Sequence, residues 1–331
     1  MESVVNFLSS PELEKDDLLT FYGFWVNGET LSNWRLLMTT PSVPTTWHGR
    51  AKSEGGSDEV KFSLPKYTNR EAIRLEIDGS RLAPIYQVLL HGSQATNDTC
   101  DFSDVDVLVI LDDSRPFTAS EHRTAISELR ALLKSIFLYD CLMHHGLMFL
   151  RRSLLEDYEE AFLPVETLQN AMVLHGPLRV RLRRAVPHLS LIKQRLGASA
   201  KSLNNRLERN DHTRNDYSFK SLLSGLLLMP SLLLESVNVF CYKKESFSLG
   251  PRQFADINWS VITWAEELRL RWKRPPTPFL QNVVSKVAHP HTIIRLSRTY
   301  PPRMNMELFL GDQADAFKTS CQEFLHCVTA L

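Results

Sequence analysis

The sequence predicts an α+β protein, with a mixed sheet and its helices in the middle of the chain and an all-α C-terminal domain after it. Three observations carry this. Ile85–Leu90 and Val105–Leu111 are apolar, β-favouring runs, and a third such run extends from Cys141 to Leu150. One strongly helical pattern, residues 119–138, stands between the second and third runs. From about residue 165 onward, helical patterns alternate with Pro or Gly breaks. Strands grouped around a helix and then a succession of helices describe an α/β core with a helical appendage. The chain divides accordingly into an N-terminal extension of short helices and loop (1–68), the α/β core (69–163) and the helical C-terminal domain (164–331).

The elements follow in order. Residues 1–40 read as short amphipathic helices around an aromatic patch of Phe21, Tyr22, Phe24, Trp25 and Trp34. Residues 41–68, rich in Pro, Thr, Gly and Ser, read as a long loop. Residues 69–83 read as a helix that Pro84 breaks. The first strand then runs up to Gly92. The second is β-branched and apolar on both faces, as expected of a buried strand. In the helix at 119–138, Ala125, Leu129, Leu132, Leu133 and Ile136 share one stripe. Residues 165–185 read as a helix, a Gly-Pro stop and a basic helix in which Arg179, Arg181, Arg183 and Arg184 form a solvated face. The stretch from Tyr217 to Phe247 reads as two helices around Met229-Pro230 that end in a basic turn. Ile262, Trp264, Leu268 and Trp272 recur at helical spacing and read as core.

Composition bounds the class. The chain has 331 residues, 43% hydrophobic and 23% charged, as in an ordinary folded protein. Lys plus Arg and Asp plus Glu are both 38, so net charge gives no reason to expect nucleic acid as a partner. The five cysteines (Cys100, Cys141, Cys241, Cys321, Cys327) are scattered and lack CxxC spacing, which suggests neither a disulfide framework nor a structural zinc site. The N-terminus lacks the basic start and apolar core of a signal peptide. Leu222–Leu234, the longest apolar stretch, is interrupted by Ser224, Gly225, Pro230 and Ser231, and reads as a buried helix pair rather than a membrane span. A reducing cytoplasm is the expected location.

Chemistry concentrates in residues 89–113, LLHGSQATNDTCDFSDVDVLVILDD. A strand ends in Gly92-Ser93, ten residues of polar loop follow, and a second strand opens with Asp104-Val105-Asp106. Glycine at 92 has no Cβ, so a phosphate can approach the backbone. Ser93 adds a hydroxyl and an amide donor at what reads as a helix start, an end that favours anions. Side chains alternate along a strand, so Asp104 and Asp106 point the same way while Val105, Val107 and Val109 face the core. Two neighbouring carboxylates repel unless a cation lies between them, and magnesium takes a few carboxylates together with phosphate oxygens. A phosphate cradle beside a metal pair suits metal-assisted attack on an α-phosphate. Asp101 reads as a loop or supporting residue, and Asp98, Asp112 and Asp113 as solvated turn residues.

Leu90-His91-Gly92-Ser93 followed by Asp104-Val105-Asp106-Val107 resembles the signature of the nucleotidyltransferase superfamily, over about residues 85–150. The resemblance implies a polymerase-beta-like fold, a nucleoside triphosphate (ATP foremost) on His91, Gly92 and Ser93, and magnesium on Asp104 and Asp106. Many members carry a basic residue soon after Gly-Ser, where Gln94-Ala95-Thr96 stands here. Members usually add a third carboxylate on the next strand. Asp140 and His145 are the two candidates for that catalytic position, His145 because a neutral imidazole accepts a proton near pH 7. Members often close the cleft with a helical domain that supplies lysine or tyrosine to the phosphates, for which Lys220, Lys243 and Lys244 are candidates. An N-terminal core with a helical C-terminal half is also similar to the layout of the kanamycin-type enzymes. The expected activity is transfer of a nucleoside monophosphate to a hydroxyl of a small molecule or protein. Its alternatives are a nucleotide-binding regulatory or antitoxin-like protein with little catalysis, and an oligonucleotide synthase.

Overall fold

The structure is a computed structural model that describes residues 59–67, 82–96, 98–143, 146–286 and 303–331. The aromatic patch expected within 1–40, His145 and most of the helix expected at 69–83 lie outside the described residues.

At the centre is a four-stranded mixed sheet. Its strands are β2 (Ile85–His91), β3 (Asp106–Leu111), β4 (Met148–Arg151) and β5 (Met172–His175), in the order β4-β3-β2-β5. β2 runs antiparallel to β3 and β5, and β3 runs parallel to β4. The parallel pair needs a crossover, and helix α1 (Ala119–Tyr139) supplies it. The start of α1 is locally encoded. Thr118 accepts from the Glu121 amide while Glu121 reaches back to the Thr118 amide, a complete capping box.

Alternation along β3 sorts its residues between two cores. Val105, Val107 and Val109 pack with Ala125, Leu129, Leu132 and Ile136 of α1 on one face. Leu108 and Ile110 pack with Leu155, Tyr158, Val173 and Leu182 on the other. Asp104 and Asp106 share the parity of the second set, just beyond its apolar part.

Three expectations are corrected. The run Cys141–Leu150 is a strand only from Met148. Asp140 accepts the Leu142 amide at 2.8 Å on its side chain and the Met143 amide at 3.2 Å on its carbonyl, so a turn occupies 140–143. Cys141, Leu142 and Met143 are buried all the same. The apolar run reported burial, not extension. The second correction concerns the C-terminal half. After a short helix α2 (Val165–Gln169), residues 172–183 form two strands, not a basic helix. The turn between them uses Gly176 at φ +94°, where a Cβ would stand 2.4 Å from the Tyr86 carbonyl oxygen. In β6 (Arg179–Arg183) arginines alternate with buried Val180 and Leu182, a period of two that an apolar helix count overlooks. Its partner overturns the third expectation. β1 (Glu59–Ser63) pairs antiparallel with β6 inside the segment read as loop, and Glu59 engages both Lys61 and Arg181.

The rest is helical: α3 (Leu189–Glu208), α4 (Asp216–Leu226), α5 (Met229–Glu235), α6 (Ser246–Gln253), α7 (Ser260–Arg271), α8 (Pro278–Lys286), α9 (Met304–Phe309) and α10 (Ala314–Thr329). They enclose a separate core around Phe219, Leu223, Leu233, Leu268, Trp272 and Phe317. Asp216–Glu235 is long and apolar enough to cross a membrane by length and composition, yet 78% of that window is buried within the protein. Val261, Ile262, Ala265 and Leu268 form the inner face of α7, with Trp272 buried just after it. Lys134 on α1 donates to the Ser285 carbonyl at 2.8 Å, so α8 lies back against the α/β core.

Candidate active site

The site forms where β2 ends and β3 begins. Antiparallel register places His91 opposite Asp106. The chain turns sharply at Gly92, which takes φ +68° and starts a single 3-10 turn, Gly92–Gln94. The amides of Ala95 and Thr96 both return to the Gly92 carbonyl, at 3.1 and 3.2 Å. A Cβ on residue 92 would lie 2.4 Å from Asp106 Oδ2. Glycine is therefore required twice, by the left-handed backbone and by the carboxylate beside it. Ser93 stands half-buried in this turn, whereas the His91 side chain is buried inside the sheet edge.

The polar loop between the strands docks on the helical half at several points. The Lys244 ammonium pairs with Asp98 and donates to its carbonyl. Asp101 accepts the Arg274 amide at 3.2 Å. Phe102 packs edge-on against Trp272, ring centroids 5.3 Å apart. Asp104 accepts from Lys220 at 2.7 Å. Sequence reasoning missed Phe102, although a lone large apolar residue in a polar loop is a legible sign of docking. Asp112 and Asp113, expected as solvated turn residues, hold the segment after β4 through Arg152 and Ser153.

Lys220 projects from α4 and is almost wholly buried, at 1% exposure. Its ammonium donates to Asp104 Oδ1 at 2.7 Å and to Asp140 Oδ2 at 2.5 Å, and it stands over the Phe102 ring, 5.6 Å from the centroid. Burial opposes the charge, but the two carboxylates overcome it and hold the ammonium above its ordinary pKa. Asp140 terminates α1 and is itself buried. The position of Lys220 is fixed one turn earlier in α4. There the buried Asp216 accepts from the Asn305 and Met306 amides at 2.9–3.1 Å, tying α4 to α9.

Lys243 and Lys244 lie in the turn before α6. Lys243 is exposed to solvent yet ringed by protein, which lowers its ammonium pKa, while Asp106 and then Asp104 pull it back up. Lys243 thus lies within electrostatic reach of Asp106 and Asp104. Lys244 is pushed down to about 8, chiefly by burial and next by Arg269. All three lysines expected from the helical half thus gather at the site. Beyond Asp140, a cavity of about 370 Å³ is bounded by Tyr139, Cys141, Arg274, Thr277 and Gln281. The Arg274 guanidinium stacks over Tyr139 at 4.2 Å.

Among the described residues no three His, Cys, Asp or Glu side chains are grouped to hold a metal. Asp104 and Asp106 alone suit magnesium, which takes one or two carboxylates when phosphate oxygens complete its shell. The space that a Cβ at 92 would fill lies against Asp106. No curated protein and no solved structure matches the chain. Residues 75–160 match the family model described as a nucleotidyltransferase domain. The strand–glycine–carboxylate unit lies wholly within that span, and the domain that carries it is a member of the nucleotidyltransferase superfamily.

Proposed function

We propose that the protein transfers a nucleoside monophosphate, AMP from ATP foremost, to a hydroxyl of a small molecule or protein, with release of pyrophosphate and with magnesium held by Asp104 and Asp106. The observation that carries this reading is the convergence of two elements. The Gly92 turn sits against Asp106, and Lys243 faces the same carboxylates from the helical half. The family match covers the first element and stops short of the second.

Bound between Asp104 and Asp106, magnesium would neutralise the pair and polarise the α-phosphate. The backbone at Gly92 and the amide and hydroxyl of Ser93 bind the β- and γ-phosphates. Lys243 adds a cation on the open side, in place of the basic residue absent from Gln94-Ala95-Thr96. Lys244 holds the loop through Asp98. Asp140 has both oxygens engaged, Oδ1 by the Leu142 amide and Oδ2 by Lys220. In this arrangement it positions Lys220, and removal of the acceptor's proton falls to His145 or to water. The cavity beyond Asp140 is large enough for a small acceptor.

The test is incorporation of label from α-labelled ATP together with pyrophosphate release. Asp104→Ala with Asp106→Ala should abolish both, and survival of transfer in that double variant would refute the mechanism. A second reading is favoured by one observation, the absence of a three-carboxylate group among the described residues. It makes the protein a nucleotide-binding regulator with little catalysis. It predicts binding of magnesium–ATP with no pyrophosphate formed by the wild-type chain.

A further inference from the structure

We infer that the Lys220 ammonium is a resident cation that takes the place of a second divalent ion, so that the site holds a single divalent ion per chain. This rests on the reading of Asp104 and Asp106 as a magnesium site.

Three observations support it. The first is placement. One ammonium donates to Asp104 Oδ1 at 2.7 Å and to Asp140 Oδ2 at 2.5 Å, so it lies directly between two carboxylates that a bridging metal would otherwise join. The second is permanence. Lys220 is 1% exposed, its remaining side is covered by the Phe102 ring, and Asp216 anchors its helix. Such a side chain has neither the solvent access nor the slack to swing out when a nucleotide arrives. The third is the origin of Asp140. β4 begins only at Met148, opposite Leu108 of β3, two residues beyond Asp106. The carboxylate of Asp140 comes instead from the end of α1, and Lys220 bridges it to Asp104. Asp106 lies against the Gly92 turn.

Manganese binding to the full chain, counted by electron paramagnetic resonance in saturating α,β-methylene-ATP, tests this. Wild type and Lys220→Arg should each hold one ion per chain. Lys220→Met, which removes the charge but keeps the bulk, should hold two. Two ions in the wild type would overturn the inference while leaving the metal-dependent reading intact. One ion in a folded Lys220→Met chain would overturn it equally. No manganese beyond that carried by the free analogue would refute the metal site itself and this inference with it. Should Lys220→Met fail to fold, Lys220→Gln is counted in its place, with two ions expected and a single ion overturning the inference.

Discussion

Replacing Gly92 by alanine separates the role of this residue in the site from its role in the fold. The residue has φ +68°, and a left-handed L-residue costs about 1–2 kcal/mol. The added Cβ would lie 2.4 Å from Asp106 Oδ2, where ordinary contact begins about 1 Å farther out. Asp106 is only half-buried, so the carboxylate can retreat into the cleft instead of forcing the sheet apart. The stability cost should therefore stay near the backbone term of about 1–2 kcal/mol, a fall of a few degrees in Tm. Activity should suffer more, because a displacement of about 1 Å in a positioned group can cost on the order of 100-fold. The assay is transfer from α-labelled ATP beside thermal unfolding. Gly197→Ala is the control. That glycine lies inside α3 with nothing within 4 Å of its would-be Cβ, so alanine should stabilise by up to about 1 kcal/mol and leave transfer unchanged. Transfer by Gly92→Ala within twofold of wild type would refute the claim that this turn sets the Asp106 carboxylate.

Two further outcomes are expected. Glu235 at the end of α5 is buried, and burial pushes its carboxyl up to about 7, with Arg195 at 3.4 Å offsetting only part of this. A folded pKa raised from the ordinary 4.5 contributes stability that is present below about 4.5 and lost as pH rises through about 7. Wild type should therefore lose up to about 3 kcal/mol between pH 4.5 and 8, and Glu235→Gln should flatten that dependence in urea unfolding. Lys243→Ala should raise KM for ATP by roughly tenfold, the worth of one charge-assisted contact, with Tm unchanged; an unchanged KM removes Lys243 from the phosphate site.

What was legible in the sequence divides along contact range. β2, β3 and α1 follow from local signals: continuous apolar, β-favouring runs, a complete capping box, and a glycine where only positive φ closes the turn. The Gly92, Asp104 and Asp106 constellation is local in the same sense, since antiparallel register folds a short stretch of chain back on itself. Lys220 illustrates the opposite case. Its partners lie 116 and 80 residues away, and its apolar helical neighbourhood signals burial without naming them. β6 was hidden because its arginines mask the buried Val180 and Leu182, and β1 because its strand character appears only when that partner is present. Asp140 was legible as a carboxylate near the site, but not its reason for being there. Turn 140–143 is buried, and buried turns share the apolar composition of strands.

The charge arrangement ties these pieces together. Asp104, Asp106 and Asp140 face Lys220 and Lys243, and the internal pairing uses up Lys220 against Asp104 and Asp140. Lys243 comes within electrostatic reach of Asp106 and Asp104 from the helical half. A bare triphosphate entering there gains from Lys243 but is repelled by the carboxylates. On the proposed reading, the magnesium complex of the nucleotide removes that repulsion, because the ion meets Asp104 and Asp106 while the phosphates meet Gly92, Ser93 and Lys243. The buried lysine then has a purpose that an ordinary ion pair lacks. It offsets one of the two negative charges of Asp104 and Asp140 before any ligand arrives, which lowers the mutual repulsion of the carboxylates. The helical half thus supplies the counter-charge that keeps a two-carboxylate site intact, and Asp216 and Asn305 hold that charge in place from outside the family-matched domain.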